Sequence, residues 1–321
     1  MFGKQKFYAG FLSAVLGVLL IAGASVRMHA EDVKPASAKP APIHGGGAIK
    51  PSAFVLPEDY PYEDVEIMMP DTVLLGGRLY DPEQVRVAML SAAPSDDDED
   101  DDEDDVFDDP ANVTKYPLVI LLHGLNGTQQ DWGNFPETLV KKGYAVLALD
   151  LRGHGASDRN IRDRKISWRK FNNKQWDEMP RDIERVVRYL ATEQEYPQVD
   201  TKRVALVGSK LGGNVAIIAA SRMPKTKALV TLSAGVNYKG LETSHAVVKY
   251  TNPLFVIASQ QDIYSYESSE LLYRWAIGVK KLQLYRQVGD GSEMLRHMPS
   301  LKIDIAQWLA VQMPPTPLPP K

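Results

Sequence analysis

Arg203-Val-Ala-Leu-Val-Gly208-Ser209-Lys210-Leu211-Gly212-Gly213 runs directly into Asn214-Val-Ala-Ile-Ile-Ala-Ala220. An apolar strand, a glycine-rich turn and an apolar helix start make the strand–turn–helix unit known as a nucleophile elbow. Such a unit presents one residue on a strained turn. The residues two before and two after it must be very small, because the strand and helix backbones nearly touch there. Gly208 and Gly212 hold those two places, so the presented residue is Lys210, and Ser209 falls one place too early. The scaffold is that of a nucleophilic enzyme, but the residue at its tip is a cation.

The segments around this elbow alternate in type. Tyr116–Leu122 and Tyr144–Leu149 are continuous apolar runs, suited to strands buried on both faces. The first ends in His123-Gly124-Leu125 and the second in Asp150-Leu-Arg152-Gly153-His154-Gly155-Ala-Ser157. A helix is expected from about Trp132, and an amphipathic one over Arg181–Glu193 with Ile183, Val186, Val187 and Leu190 on one face. Beyond the elbow come strands at Ala228–Leu232, Leu254–Ala258 and Leu282–Val288, with helices at Glu267–Val279 and Ser300–Val311. Upstream, Val65–Met69 and Thr72–Tyr80 read as a hairpin turning at Pro70-Asp71. The alternation from 116 to 311 predicts an α/β fold, a mainly parallel central sheet with helices on both faces and no large lid domain.

Composition bounds the rest. The chain has 321 residues and no cysteine, which excludes disulfides, thiol catalysis and cysteine metal sites. Residues 1–30 carry Lys4 and Lys6 ahead of an apolar stretch and read as an export signal, with an uncleaved membrane anchor over 7–26 as the rival reading. Either reading places the domain outside the cytoplasm, periplasmic or extracellular. Residues 31–61 are rich in Pro, Ala and Gly and read as a linker. The segment 95–109 holds 12 acidic residues and reads as a disordered insert; removing them turns a net charge of −4 into +8. The Pro-rich tail 312–321 is expected to be extended and loose. No basic block interleaved with aromatics points to nucleic acid.

Taken together, residues 62–311 resemble the α/β-hydrolase superfamily, in particular its small dienelactone-hydrolase-like and lysophospholipase-like esterases. Five motifs carry the resemblance, in order: His123-Gly124, Asp150–Ser157, Gly208–Gly212, Pro253–Asp262 and Gly289-Asp290-Gly291-Ser-Glu-Met-Leu295. Position by position, the resemblance puts the family's catalytic serine on Lys210, its acid on Asp262 and its histidine on Asp290. It implies oxyanion donors at the backbone N–H groups of Leu125 and Leu211. Only the acid and the backbone donors match the family.

The chemistry follows from the replacements. Acyl transfer needs a nucleophile and a base near neutral pKa. An aspartate ordinarily titrates near ~3.9 and a lysine near ~10.4, so neither suits its inherited place. The expected outcome is an ion-paired cluster, Lys210 against Asp290 with Asp262 behind. Ser209 would point away from the cleft. His123 and His154 read as hydrogen-bonded loop residues, while His245 and His297, the latter on a helix start, are the remaining candidates for a relocated base. A Schiff-base role for Lys210 is opposed by its two carboxylates, and a metal shared by Asp262 and Asp290 would compete with the ammonium, so no cofactor or metal is expected. Two functions stay open: a degenerate hydrolase binding a small carboxylate, ester or phosphate ligand or a protein partner, and an active carboxylic-ester hydrolase with a relocated nucleophile. In a third reading, the acidic insert and the tail are the working parts. Membrane contact is expected only through an uncleaved N-terminal segment.

Overall fold

A computed structural model of the chain describes residues 62–84, 113–192 and 196–318, all within the compact unit Val55–Lys321. The expected signal or anchor, the linker and the acidic insert lie outside the described residues. Among the described residues no helix is long and apolar enough to cross a membrane.

Strands β1 (Glu63–Met68) and β2 (Leu74–Tyr80) form the expected antiparallel hairpin, with Glu63 opposite Leu79 and Met68 opposite Leu74. β3 (Tyr116–Leu122), β4 (Ala145–Leu149), β5 (Val199–Ser209), β6 (Thr226–Leu232), β7 (Leu254–Ser259) and β8 (Lys280–Tyr285) follow. They form one eight-stranded sheet in the order β1-β2-β4-β3-β5-β6-β7-β8. β2 pairs antiparallel with both β1 and β4, and every ladder from β4 onward is parallel. β3 and β5 are adjacent at the centre, and the site is built at their C-terminal ends.

Among the described residues, helices α1 (Phe135–Val140), α2 (Asn173–Thr192), α3 (Leu211–Ala220), α4 (Ser244–Lys249), α5 (Ile263–Trp275), α6 (Glu293–His297) and α7 (Ser300–Gln312) cover the sheet. Alternation along β3 shows why a continuous apolar run was required. Leu118, Ile120 and Leu122 join one buried cluster, shared with α2 and α3. Val119 and Leu121 join the other, under α1 and α7. Side chains alternate faces along a strand, so a sheet covered on both sides needs every position apolar.

Several boundaries depart from the sequence reading. α2 begins at Asn173, eight residues before the expected Arg181, and carries Pro180 inside it. Trp176 and Met179 are buried on the same face as Ile183 and Leu190, and this packing outweighs the hydrogen bond a mid-helix proline removes. The chain reaches α1 through a short 3₁₀ turn at Gln129–Trp132 rather than starting one helix there. α5 starts four residues earlier than expected because Asp262 caps it. His297 ends α6 instead of starting a helix. The first part of the tail is tied down: the Thr316 hydroxyl donates to the Lys115 carbonyl, and Arg203 donates to the Pro314 carbonyl.

Candidate functional site

β5 delivers the elbow. Lys210 sits at φ +50°, ψ −114°, a left-handed conformation that costs a non-glycine residue on the order of 1–3 kcal/mol. Its N–H donates to the Leu232 carbonyl at 2.8 Å, and its own carbonyl accepts from Gly213 and Asn214. The glycines are dictated by contact. A Cβ on Gly208 would run into the Gly212 carbonyl, and one on Gly212 into the carbonyls of Leu122 and His123. The expected register of the turn therefore holds, with Lys210 at its tip.

Asp290 meets it there. The loop after β8 crosses the elbow with Gly289 at φ +79° and Gly291 at φ +54°. Two serine hydroxyls at the ends of β5 and just past β6 hold this loop. Ser209 Oγ accepts from the Ser292 N–H and Ser233 Oγ from the Gly291 N–H, each at 2.9 Å. Lys210 Nζ donates to Asp290 Oδ2 at 2.9 Å, with both side chains about one-third exposed (33% and 32%). Burial alone would pull the lysine's pKa down. The hydrogen bond and charge of Asp290 outweigh it and raise the pKa, with further contributions from Tyr238 and Asp262. Lys210 is a cation at neutral pH.

Asp262 makes its own hydrogen bonds within the next helix. It caps α5, accepting from the Ser265 N–H at 3.2 Å and the Ser265 hydroxyl at 2.6 Å. That commits the Ser265 proton to Asp262, so Tyr238, 3.0 Å away, donates its own hydroxyl to Ser265. Asp262 acts on Lys210 only through its charge.

Ser209 differs from expectation. It is 1% exposed and lines the site cavity, but its Oγ is engaged by the Ser292 N–H, so it pins the Asp290 loop. Leu125 lines the same cavity, and Leu211 opens α3 directly after the elbow. The N–H of a first helical residue has no partner within its own helix and points toward the N-terminus, as an oxyanion donor must.

The histidines divide as their surroundings dictate. His123 is fully buried, with Nδ1 2.7 Å from the Gly124 carbonyl and Nε2 accepting from the Leu151 N–H. A carbonyl can only accept, so the proton is on Nδ1. Burial pushes its pKa down to about 3. His154 donates from Nδ1 to the Arg152 carbonyl and stacks on Trp168. Arg152 in turn makes two 2.7 Å bonds to Asp182, buried like itself, and pairs with Asp71. The Asp150–Ser157 motif is thus a structural bracket for the loops beside the site. His245 is exposed beside the Ser244 hydroxyl, and His297 lies 3.9 Å from Glu293. Among the described residues no hydrogen bond or ion pair joins either to Lys210 or Asp290.

Four contributors went unnoticed in the sequence: Ser233, Tyr238, Ser265 and Trp132. Only Ser265 had a local signal, three residues after an aspartate in the cap pattern. The cavity beside Lys210, lined by Trp132 among these four, has a volume of about 620 Å³ and opens between the 124–134 loop and the α6–α7 segment.

Comparison with known proteins agrees with this geometry. Residues 114–260 match the family model described as serine aminopeptidase, S33, a stretch that includes the elbow and stops two residues short of Asp262. An uncharacterized protein of Mycobacterium tuberculosis is 28% identical over 144 residues, 44% of this chain; the match spans about a third (33%) of that relative's length. Among solved structures, an esterase of Pyrococcus furiosus superposes with a TM-score of 0.56 at 20% identity, covering 79% of this chain and 94% of that one. A dienelactone hydrolase of Anabaena variabilis gives 0.56 at 14%, covering 79% and 98%. At such identities the structural likeness is one of fold. The sheet order, the glycine-enforced elbow and the structural neighbours together give this chain the α/β-hydrolase fold, and residues 114–260 are similar to the serine aminopeptidase family.

Proposed function

We propose that this protein is a degenerate hydrolase whose centre binds a small carboxylate or related oxyanion and does not turn over esters. One observation carries the reading: Lys210 and Asp290, which the resemblance puts at the two places where the superfamily attacks and moves a proton, are paired at 2.9 Å. A lysine with a raised pKa is not a nucleophile. An aspartate is a poor base at neutral pH. What survives is the binding half of the machinery, the first-turn N–H of α3, the Leu125 loop and an ammonium with two N–H bonds left for a ligand oxygen.

The rival reading, an ester hydrolase with a relocated nucleophile, leans on Ser209. That hydroxyl already accepts from the Ser292 N–H and has no histidine or carboxylate partner among the described residues. We also propose that the domain works outside the cytoplasm, on the strength of the charged and apolar pattern of residues 1–30.

The test is hydrolysis of short-chain p-nitrophenyl esters by the full chain beside Lys210→Ala and Ser209→Ala. No turnover above buffer in all three is the expected result. Turnover lost in Ser209→Ala would establish the relocated nucleophile, and turnover lost only in Lys210→Ala would make the lysine a working catalytic group.

A further inference from the structure

The two edges of the sheet are unlike. β1 holds Glu63, Asp64 and Glu66 exposed, the kind of charge that keeps an edge strand from pairing with another chain. β8, at the other edge, has no such guard. Its two charged side chains are both taken up within the chain. Lys280 Nζ donates to the Tyr273 and Ala276 carbonyls at the end of α5, at 2.8 and 2.7 Å, and Lys281 Nζ lies 4.2 Å from the centre of the Phe255 ring. No proline or bulge interrupts the strand, because Lys280 to Tyr285 pair one for one with Leu254 to Ser259. Just ahead of it Val279 is 63% exposed, a large apolar side chain left in solvent.

The ladder fixes which backbone groups of β8 face outward. The Val279 carbonyl accepts from the Leu254 N–H, and the Tyr285 carbonyl from the Gln260 N–H. Alternate residues of a strand bond to the same neighbour, so the odd-numbered residues face β7. The N–H and C=O groups of Lys280, Leu282 and Leu284 therefore face away from the sheet. Among the described residues no strand lies beyond β8 to receive them. A second β8 running antiparallel must set outward residues against outward residues, and two registers then overlap nearly the whole strand. One is centred on Gln283 and brings Lys280 opposite Arg286, like charges directly opposed. The other is centred on Leu282. It sets Lys280 against Leu284, Lys281 against Gln283 and Val279 against Tyr285, with no like charges opposed and a β-branched side chain facing an aromatic ring at each end.

We propose that the chain pairs with a second copy of itself through β8, antiparallel about a twofold axis at Leu282, joining two eight-stranded sheets into one. About six backbone hydrogen bonds close across that axis, and Val279 of one copy is covered by Tyr285 of the other. A strand whose own charge pattern is satisfied across a twofold axis fits its own copy. None of these residues lines the Lys210 cavity, so the pairing holds whether or not that site binds an oxyanion.

The experiment uses the full chain. Sedimentation equilibrium should show a monomer–dimer equilibrium, and Leu282→Lys, which opposes like charges on the axis, should weaken it at least roughly tenfold. Hydrogen exchange on the wild type reads the edge without any variant. The amides of Lys280, Leu282 and Leu284 should slow as protein concentration rises, while those of Lys281 and Gln283, bonded to β7 in either state, should not change. The chain has no cysteine, so Leu282→Cys carries a single thiol. Two such thiols meet across the axis with Cα atoms about 5.5 Å apart, within disulfide reach. Oxidation should link Leu282→Cys into dimers and leave Gln283→Cys unlinked. A monomer at every concentration overturns the proposal. A dimer whose Lys280, Leu282 and Leu284 amides exchange as in the monomer overturns β8 as its surface and points to the apolar stretch 7–26 instead. A link in Gln283→Cys alone overturns the register.

Discussion

Lys210 Nζ lies 2.9 Å from Asp290 Oδ2, and the loop carrying Asp290 is fastened by hydroxyls that flank the elbow strand, Ser209 and Ser233. The pair joins residues 80 apart in sequence. In the proposed reading it stands where the superfamily has a nucleophile and a base, on a backbone strained at φ +50°.

That geometry predicts a cooperative gain. Lys210→Ser and Asp290→His made separately should leave ester hydrolysis at background, because each supplies half of a nucleophile–base pair. Made together they should raise p-nitrophenyl acetate hydrolysis by at least roughly a hundredfold over either single variant, the usual contribution of a positioned base. A double variant no faster than the singles would mean that Asp262, committed to Ser265, cannot orient the new imidazole.

The ion pair itself should matter little for stability. With both side chains about one-third exposed, solvent screens it, and Asp290→Asn should cost no more than about 1 kcal/mol in urea unfolding. The elbow glycines behave oppositely. Gly212→Ala drives a Cβ into two backbone carbonyls that cannot move without displacing β3, and should cost about 3 kcal/mol or leave no folded protein. Similar midpoints for Gly212→Ala and the wild type would contradict the close approach of α3 and β3.

Arg152 offers a sharper contrast. It is 3% exposed and donates two bonds to Asp182, itself equally buried, while its other partner Asp71 is half exposed. Removing the guanidinium leaves the buried Asp182 carboxylate only its 3.1 Å bond from Arg185, so Arg152→Ala should lose about 3 kcal/mol. Asp71→Asn should lose about 1 kcal/mol or less, since the remaining pair stays intact. Denaturation midpoints of the two variants measure the difference directly.

His123 imposes a pH dependence whose sign follows from its buried neutral ring. Its folded pKa is about 3, depressed mainly by burial, against an ordinary value near 6.5. Above pH 6.5 the ring is neutral folded and unfolded, and it contributes no slope. As pH falls below that, the unfolded chain takes up a proton that the folded chain refuses, and stability is lost until about pH 3. The loss attributable to this ring should reach about 1.4 kcal/mol per pH unit. The difference between wild type and His123→Gln, followed by urea unfolding from pH 7 to 4, isolates it from the carboxylates; parallel curves would show that the ring titrates normally.

Much of this was legible one segment at a time. Gly208 and Gly212 announced the elbow because only glycine tolerates that backbone contact. The all-apolar runs of β3 and β4 announced a sheet covered on both faces. The helix ends were harder. Pro180 marked a false start to α2, since the burial of Trp176 and Met179 is a tertiary fact. The α5 boundary hinged on whether Asp262 acts as cap or as partner of a distant lysine, and its local bonds to Ser265 prevailed.

By itself, then, the sequence determined the order of elements and the elbow register, because both depend on local backbone demands and short-range pattern. Only the tertiary structure decided what the residues of the site do to one another. The Lys210–Asp290 pair, the two serine anchors beneath it and the diversion of Asp262 to Ser265 all depend on where separate strand ends and loops converge. Contacts between residues tens of positions apart follow from the packing of the whole sheet, and no local periodicity encodes them.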